Sequence, residues 1–143
     1  MKCSEIMKSD VQCLSPSATV VDAAKQMRTS NVGFLPICDE VGRVIGALTD
    51  RDLAVRVLAD SRGAETEVRD VMTTDVISCS PDDSLRVAEE RMAFNHKSRI
   101  VCCDSDGRLR GVISLSDIAQ VDGPRRVRRT LKEITRREVR TSP

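Results

Sequence analysis

Aromatic residues are almost absent from this chain of 143 residues, which has two phenylalanines, Phe34 and Phe94, and no tryptophan or tyrosine. Proteins that bind single-stranded nucleic acid commonly stack bases on aromatic side chains, so the composition argues against that class. The core must instead be built from Val, Ile, Leu, Ala and Met. With 40% hydrophobic and 31% charged residues, the chain has the balance of a soluble globular protein.

The sequence also contains no apolar run of membrane-spanning length, and its start lacks the basic and apolar regions of a secretory signal. We therefore predict a cytoplasmic protein with no membrane contact. Its six cysteines are then expected to be mostly reduced. No two cysteines have the CxxC spacing, and the single histidine, His96, has no partner at ligand spacing, so no metal site is predicted.

The chain contains an internal repeat with an offset of 65 residues. That offset places Met7 on Met72, Pro16 on Pro81 and Met27 on Met92. Further on, without a gap, it aligns three pairs of identical residues: Gly42 with Gly107, Gly46 with Gly111 and Asp52 with Asp117. Two copies of one structural unit explain this pattern.

Each copy shows the same order of signals. A short strand, at residues 11–15 or 76–80, is followed by a proline and then by apolar residues at helical spacing. Two more strands joined by a glycine turn come next, and a second helix begins near Asp50 or Ser116. This order predicts an α/β fold of the α+β type, built from tandem β-α-β-β-α repeats. We assign residues 1–62 to the first repeat, 63–122 to the second and 123–143 to a basic tail, and expect the repeats to pack as one body.

The repeated stretch "GALTDRDLA" (46–54) and "GVISLSDIA" (111–119) carries the chemistry. A Ser or Thr followed three residues later by an acid is typical of a helix capping box, although Asp is shorter than the usual Glu. The same atoms also suit a ribonucleotide. An ionised carboxylate accepts hydrogen bonds from two ribose hydroxyls, a nearby hydroxyl donates to ribose or phosphate oxygen, and a glycine lets backbone approach the ligand. Both interpretations stay open at this point.

The repeated unit, with "LPICDEVGRVIGALTDRD" in one copy and "RIVCCDSDGRLRGVISLSD" in the other, resembles the cystathionine-β-synthase (CBS) domain family. The chain looks like a stand-alone tandem CBS pair, or Bateman module, over about residues 6–119. The family motif is Gly, two residues, Thr or Ser, two residues and Asp. The resemblance implies a regulatory module without catalysis of its own that binds adenosine ligands: AMP, ADP, ATP or S-adenosylmethionine. It implies no required cofactor.

In that family the motif aspartate holds the ribose hydroxyls, and the motif Ser or Thr lies close to ribose or phosphate. The resemblance therefore implies one cleft with Thr49 and Asp52 and another with Ser114, Ser116 and Asp117. It also implies base contacts from the opposite repeat. For the Asp117 cleft these are Val32, Gly33, Ala18 and Ala23, and for the Asp52 cleft they are Lys97, Ser98, Asp83 and Ala88.

The two clefts differ in their neighbouring charge. Arg99 opens the strand "RIVCC", where similar modules often place a basic residue that reaches the phosphates, whereas the first copy has Phe34 there. A guanidinium can bind two phosphate oxygens at once. Arg51 supplies charge near Asp52, or it points to solvent. We predict that the Asp117 cleft is the better phosphate site.

Two strands of the first copy carry Cys13 and Cys38, which the fold makes neighbours. This pair is the candidate for a disulfide, and two small buried thiols are the alternative expected in the cytoplasm.

After Gly123 the tail carries eight basic and two acidic residues, which leaves the preceding chain with a net charge of −5. Val127, Leu131 and Ile134 fall on one face of a predicted basic helix. Three interpretations remain open: the tail docks on the acidic body or a second subunit, it binds an anionic partner such as nucleic acid, or it is a frayed terminus. The CBS resemblance further implies a homodimer and a regulated partner protein.

Overall fold

The computed structural model describes residues 1–121 and 123–141, without the side chains of residues 137–141. The chain forms two compact units, and neither is continuous in sequence. The first-repeat unit comprises Val11–Val76 and Asp106–Leu109. The second-repeat unit comprises Met1–Asp10, Ile77–Ser105 and the chain from Arg110 onward. The predicted boundary at residue 62 divides the two sequence repeats, whereas the compact units exchange segments between them, and the predicted boundary at Asp122 lies outside the described residues.

The first-repeat unit contains helix α1 (Val20–Ser30), strands β1 (Phe34–Cys38) and β2 (Val44–Thr49), and helix α2 (Asp50–Asp52), which continues as the π-helical segment Leu53–Leu58. β1 and β2 are antiparallel, with Phe34 opposite Thr49. Gly42 turns the chain between them with a φ of 89°, as predicted for a residue without a Cβ.

The second-repeat unit contains strand β3 (Ser78–Cys79), helix α3 (Leu85–Asn95), strands β4 (Arg99–Cys103) and β5 (Leu109–Ser114), and helices α4 (Leu115–Ala119) and α5 (Pro124–Thr141). The strand order in its sheet is β3-β4-β5, and β3 runs parallel to β4. The α/β fold of two CBS-type repeats is therefore as predicted.

The opening strand of each repeat is shorter than predicted. Residues 11–15 form only one parallel bridge, between Leu14 and Ile37, and residues 76–80 form the two-residue strand β3. The proline that follows each segment has no backbone N–H, which ends the ladder there. The segments nevertheless lie beside the predicted strands.

Each repeat sends its leading segment into the other repeat's unit. The short 3-10 helices Cys3–Glu5 and Val68–Asp70 occupy equivalent repeat positions and belong to the second-repeat and first-repeat units, respectively. Lys8 forms an antiparallel bridge with Val112, and its repeat equivalent Thr73 forms one with Ala47. The sequence repeat therefore describes the order of elements but not which of them pack together.

Each unit has its own apolar core with repeat-related members. Ala23, Met27 and Leu35 are buried in one core, and Ala88, Met92 and Ile100 take the same places in the other. The near absence of aromatics is thus matched by cores made of aliphatic side chains, Met and Cys, and each large side chain buried there contributes about 1.5–3 kcal/mol.

Helix α5 packs on the second-repeat unit, mainly against α3. Ile134 is buried in the core of that unit and Val127 packs against it. Leu131, predicted on the same face, is 45% exposed, and Thr130 is buried in its place. The tail therefore docks on the body, which was one of the three interpretations of the sequence. It belongs to the second-repeat unit.

Two side chains fasten α5 beyond its apolar contacts. Arg126 Nε lies 3.2 Å from the buried carboxylate oxygen Oε2 of Glu89 on α3. His96, which ends α3 in the left-handed conformation with a φ of 55°, places Nδ1 2.6 Å from the carbonyl oxygen of Glu133. None of the helices in the described part of the chain is both long and apolar enough to cross a membrane.

Candidate ligand site

The first motif forms a reciprocal capping box at the start of α2. The N–H of Asp52 donates to Thr49 Oγ1 over 3.1 Å, and the N–H of Thr49 donates to Asp52 Oδ2 over 2.9 Å. The aspartate therefore does reach back, because the N-cap backbone is extended and close. The capping interpretation is confirmed for this motif, and Asp52 is only 8% exposed.

The second motif repeats this arrangement with one more hydroxyl. Ser114 and Asp117 form the same box, with the N–H of Ser114 donating to Asp117 Oδ2 over 2.9 Å. Ser116 Oγ lies 2.8 Å from Ser114 Oγ. The structure thus brings together Ser114, Ser116 and Asp117 at one helix start, where the N–H of Asp117 donates to Ser114 Oγ.

The second carboxylate oxygen of each motif aspartate faces a cation that the motif did not reveal. Lys8 Nζ lies 3.6 Å from Asp117 Oδ1, and Arg56 Nε lies 3.7 Å from Asp52 Oδ1. Thr73, the repeat equivalent of Lys8, places Oγ1 3.5 Å from both oxygens of Asp52. Only the repeat offset, applied to the leading segments, could have pointed to Lys8 and Thr73.

The two motif glycines, Gly46 and Gly111, lie where the protein itself leaves no room for a Cβ. A Cβ on Gly111 would lie 2.8 Å from the carbonyl oxygen of Lys8, and one on Gly46 would lie 2.7 Å from Met72 Sδ. Both contacts are with the leading segment that crosses the strand. The leading segment thus requires glycine at both positions, and the close approach of a ligand there stays a prediction.

A third Thr-x-x-Asp capping box lies at the start of α1, outside the two motifs. Capping alone therefore does not distinguish the motif aspartates. Thr19 and Asp22 exchange the same two hydrogen bonds, both of 3.1 Å. The backbone N–H of Thr19 lowers the pKa of the Asp22 carboxyl, which is exposed. Asp52 and Asp117 differ from Asp22 because they are nearly buried and have a cation at the second oxygen.

The structure places the residues expected to distinguish the two clefts beside the motifs of their own repeats. The carbonyl of Ser98 accepts from the N–H of Leu115, so Arg99 begins its strand next to Ser114. The carbonyl of Gly33 accepts from the N–H of Asp50, and Phe34 pairs with Thr49. Arg51 and Arg99 are both exposed. The contrast between Arg99 and Phe34 therefore lies at equivalent places of the two units.

The remaining residues predicted to contact the base differ in how far they are exposed. Ala23 and Ala88 are completely buried within α1 and α3, so the structure gives them a packing role. Asp83 accepts a hydrogen bond from the N–H of Ser80, Val32 is 43% exposed, and Ala18 and Lys97 are partly buried. The predicted contacts that join one repeat's motif to residues of the other repeat stay predictions.

The cysteines also fall into groups. Cys13 is exposed and Cys38 buried, and the disulfide between them stays a prediction. They line a cleft of about 530 Å³ at the end of β1 away from Thr49. Cys3, Cys79 and Cys102 are buried together, with sulfur distances of 3.8 Å and 3.6 Å from Cys79 to the other two.

The hydrogen bonds within this thiol cluster shift the pKa values of its members in opposite directions. Hydrogen bonds from Cys102 and then Cys79 lower the pKa of the Cys3 thiol to about 4. The hydrogen bond with Cys3 raises the pKa of Cys102. Within the described residues, no group of three His, Cys, Asp or Glu side chains is arranged to hold a metal ion.

Comparison with protein families and curated proteins gives one consistent result. The model of the CBS domain family matches residues 3–59 and 68–123. The CBS domain-containing protein YhcV of Bacillus subtilis is 36% identical over 115 residues, which cover 80% of this chain and 81% of that protein. Hypoxic response protein 1 of Mycobacterium tuberculosis is 34% identical over 121 residues and 81% of each chain.

Solved structures share the fold. A crystal structure of Hypoxic Response Protein I with two coordinated zinc ions is 27% identical, with a TM-score of 0.77 over 86% of this chain and 100% of that one. The CBS domain pair of protein MJ0100, in complex with 5′-methylthioadenosine and S-adenosyl-L-methionine, is 25% identical, with a TM-score of 0.75 over 86% and 100%. CBSX2 in complex with AMP has a TM-score of 0.72 at 21% identity, over 83% and 93%.

Proposed function

We propose that this chain, which belongs to the CBS domain family as a tandem pair of its repeats, is a regulatory sensor that binds an adenosine ligand through Asp52 and Asp117. One observation carries the proposal. Each motif aspartate is nearly buried and uses Oδ2 for its own helix cap, while Oδ1 faces a cation 3.6 Å or 3.7 Å away and, in Asp52, also the hydroxyl of Thr73 at 3.5 Å. That second oxygen is available to accept from ribose hydroxyls.

The chemistry of such an oxygen suits a ribose. A carboxylate oxygen accepts more than one hydrogen bond, so two adjacent hydroxyls of a ribose can replace or share the cation. A charge-assisted hydrogen bond to a nearly buried acceptor is stronger than one between neutral groups. Adenosine compounds bound by other CBS pairs, AMP in CBSX2 and 5′-methylthioadenosine and S-adenosyl-L-methionine in MJ0100, support this ligand class.

The second-repeat motif is the better place for a phosphate. Ser114 and Ser116 offer two hydroxyls within 2.8 Å of each other, and Lys8 adds a cation. Arg99 begins the adjacent strand, at the position where the first repeat has Phe34. A nucleotide with one or more phosphates therefore binds in the Asp117 cleft in preference to the Asp52 cleft.

The protein acts by binding rather than by catalysis. The CBS domain-containing protein YhcV matches over most of its length, whereas the chain covers only 23% of the inosine-5′-monophosphate dehydrogenase of Methanocaldococcus jannaschii. In our proposal the ligand changes the packing of a homodimer, and a separate protein receives the signal.

The test is isothermal titration calorimetry, after a thermal-shift screen of AMP, ADP, ATP, NAD and S-adenosylmethionine. A ligand that binds only the native state raises the melting temperature. Asp117→Ala is expected to abolish nucleotide binding and Arg99→Ala to weaken it. Asp22→Ala removes the same kind of capping carboxylate from α1 and serves as the matched control, because it loses cap stability without losing a ligand.

Equal binding to wild type and Asp117→Ala would refute this site. Loss of binding in both Asp117→Ala and Asp22→Ala would show that cap stability, and not ligand contact, explains the effect.

A further inference from the structure

Helix α5 carries a row of cations that its docking on α3 leaves exposed. The row, called the basic stripe here, consists of Arg125, Arg128, Arg129, Lys132 and Arg136, all of them exposed. At 3.6 residues per turn these five positions fall within about 100° of arc, and they extend over about 16 Å along the helix axis. The stripe is therefore a line of charge and not a scattered set.

The buried face of α5 lies on the opposite side of the helix. Val127, Thr130 and Ile134 are the residues turned toward α3, and the helical period places them about 170° from the centre of the stripe. The ion pair between Arg126 and Glu89 lies on the flank. Two of the interpretations given for the tail are thus compatible. Docking on the body uses one face of α5, and binding of an anionic partner would use the opposite face.

Docking does not neutralise the stripe. Arg136 has an ion pair with Glu133 at 3.2 Å. Arg125, Arg128, Arg129 and Lys132 form no ion pair with any side chain that the structure describes. Docking therefore gives these four residues no ion-pair partner among the described side chains, and like charges one turn apart destabilise a helix unless a partner compensates them.

We propose that the basic stripe binds the phosphate backbone of a nucleic-acid duplex. A duplex presents about one negative charge for every 1.7 Å of its axis, so a row of cations of this length faces phosphates throughout. Membrane insertion needs a free apolar face, and α5 has already buried its own against α3. The centre of a protein interface is normally apolar or aromatic, and the stripe has no such residue within it. It carries no aromatic side chain for base stacking, which favours a duplex over a single strand.

The experiment uses the full-length protein and fluorescence anisotropy with labelled duplexes of about 20 base pairs, one of DNA and one of RNA, without added nucleotide ligand. With five phosphate contacts, the logarithm of the binding constant should fall with the logarithm of salt concentration at a slope of about −4.5. In the triple variant Arg128→Gln, Arg129→Gln and Lys132→Gln the slope should fall to about −2, and affinity should drop at least about tenfold at low salt.

A matched control removes the same charge from the first-repeat unit. Lys25→Gln, Arg28→Gln and Arg62→Gln replace three exposed cations that lie outside the stripe. The control should keep the slope and nearly all of the affinity. Neither triple variant should lower the thermal midpoint of the wild type, because all six side chains are exposed.

Tighter binding to the DNA or to the RNA duplex supports the proposal and identifies the duplex. Equal loss in the two triple variants would overturn it, since net charge alone would then explain binding. So would tighter binding to a single strand of the same length, comparable binding to polyglutamate, binding only to vesicles containing phosphatidylserine, or no binding at low salt. None of these results bears on adenosine binding, which is measured separately.

Discussion

The ammonium nitrogen of Lys8 lies 3.6 Å from Oδ1 of Asp117, the carboxylate of the second motif. Lys8 comes from the leading segment of the first repeat, which belongs to the second-repeat unit. The repeat-related pair in the other unit is Thr73 with Asp52, at 3.5 Å. The aspartate of each motif is thus contacted by the leading segment of the other repeat. The two sites differ because this segment supplies the ammonium group of Lys8 to Asp117 and the hydroxyl of Thr73 to Asp52.

Replacement of Lys8 by Gln should strengthen the binding of adenosine. The side chain of Lys8 is 67% exposed, so its ion pair is worth at most about 1 kcal/mol, and its removal frees Oδ1 for the ribose. Adenosine affinity, measured by calorimetry, should therefore rise about two- to fivefold. Lys2→Gln, which removes another exposed ion pair of the same unit, should leave it unchanged. Weaker adenosine binding in Lys8→Gln would mean that Lys8 assists the ribose instead of competing with it.

Gly111→Ala should destabilise the fold. Its Cβ would lie 2.8 Å from the Lys8 carbonyl oxygen and 2.9 Å from Met7 Cγ, so the leading segment must shift. Such overpacking lowers the free energy of unfolding by about 1–3 kcal/mol, measured by urea denaturation. Gly123→Ala is the control, since a Cβ there meets nothing within 4 Å. A loss of the same size in both variants would contradict the role of this contact, because Gly→Ala by itself restricts the unfolded chain and favours folding.

The two left-handed helix ends should respond differently to glycine. Asn31 ends α1 with a φ of 53°, and its repeat equivalent His96 ends α3 with a φ of 55°. Glycine relieves the strain of this conformation, so Asn31→Gly should leave stability unchanged or raise it by up to about 1 kcal/mol. His96→Gly gains the same relief but loses the contact with the carbonyl of Glu133, which is worth about 0.5–1.5 kcal/mol.

The measurement for this pair is thermal unfolding together with hydrogen exchange of α5. His96→Gly should show no net gain in stability and faster exchange in α5, whereas Asn31→Gly should leave exchange in α5 as it is. Slower exchange in α5 after His96→Gly would contradict the role of His96 in fastening the helix.

Alkylation of Cys103 should require a higher pH in the folded than in the unfolded protein. Burial, and secondarily the charge of Asp104, raise the pKa of the Cys103 thiol above that of an ordinary cysteine. Since only the thiolate reacts, a raised pKa leaves less of the reactive form at every pH below it. Mass spectrometry after pulses of iodoacetamide gives the pH of half-maximal rate for Cys103 itself in each state. A midpoint in the folded protein at or below that in urea would contradict the prediction.

The sequence by itself determined the order of elements. The 65-residue offset, visible in Gly46 and Gly111 or Asp52 and Asp117, predicted two copies of one unit, and the structure has them. Local signals also gave the glycine turns and the helix starts, because capping and positive φ depend on residues only a few positions apart. The family resemblance was confirmed for the same reason, since its motif is local.

What only the tertiary structure decided depends on contacts between residues distant in the chain. The exchange of leading segments gave Gly111 its neighbour Lys8 and placed Lys8 beside Asp117. The strand predicted at residues 11–15 was reduced to one bridge because strand length is set by pairing and not by side-chain pattern alone. In α5, Thr130 and not Leu131 lies on the buried face, and this depends on how the helix packs on the rest of its unit. That packing left the cations of the basic stripe together on the opposite, exposed face.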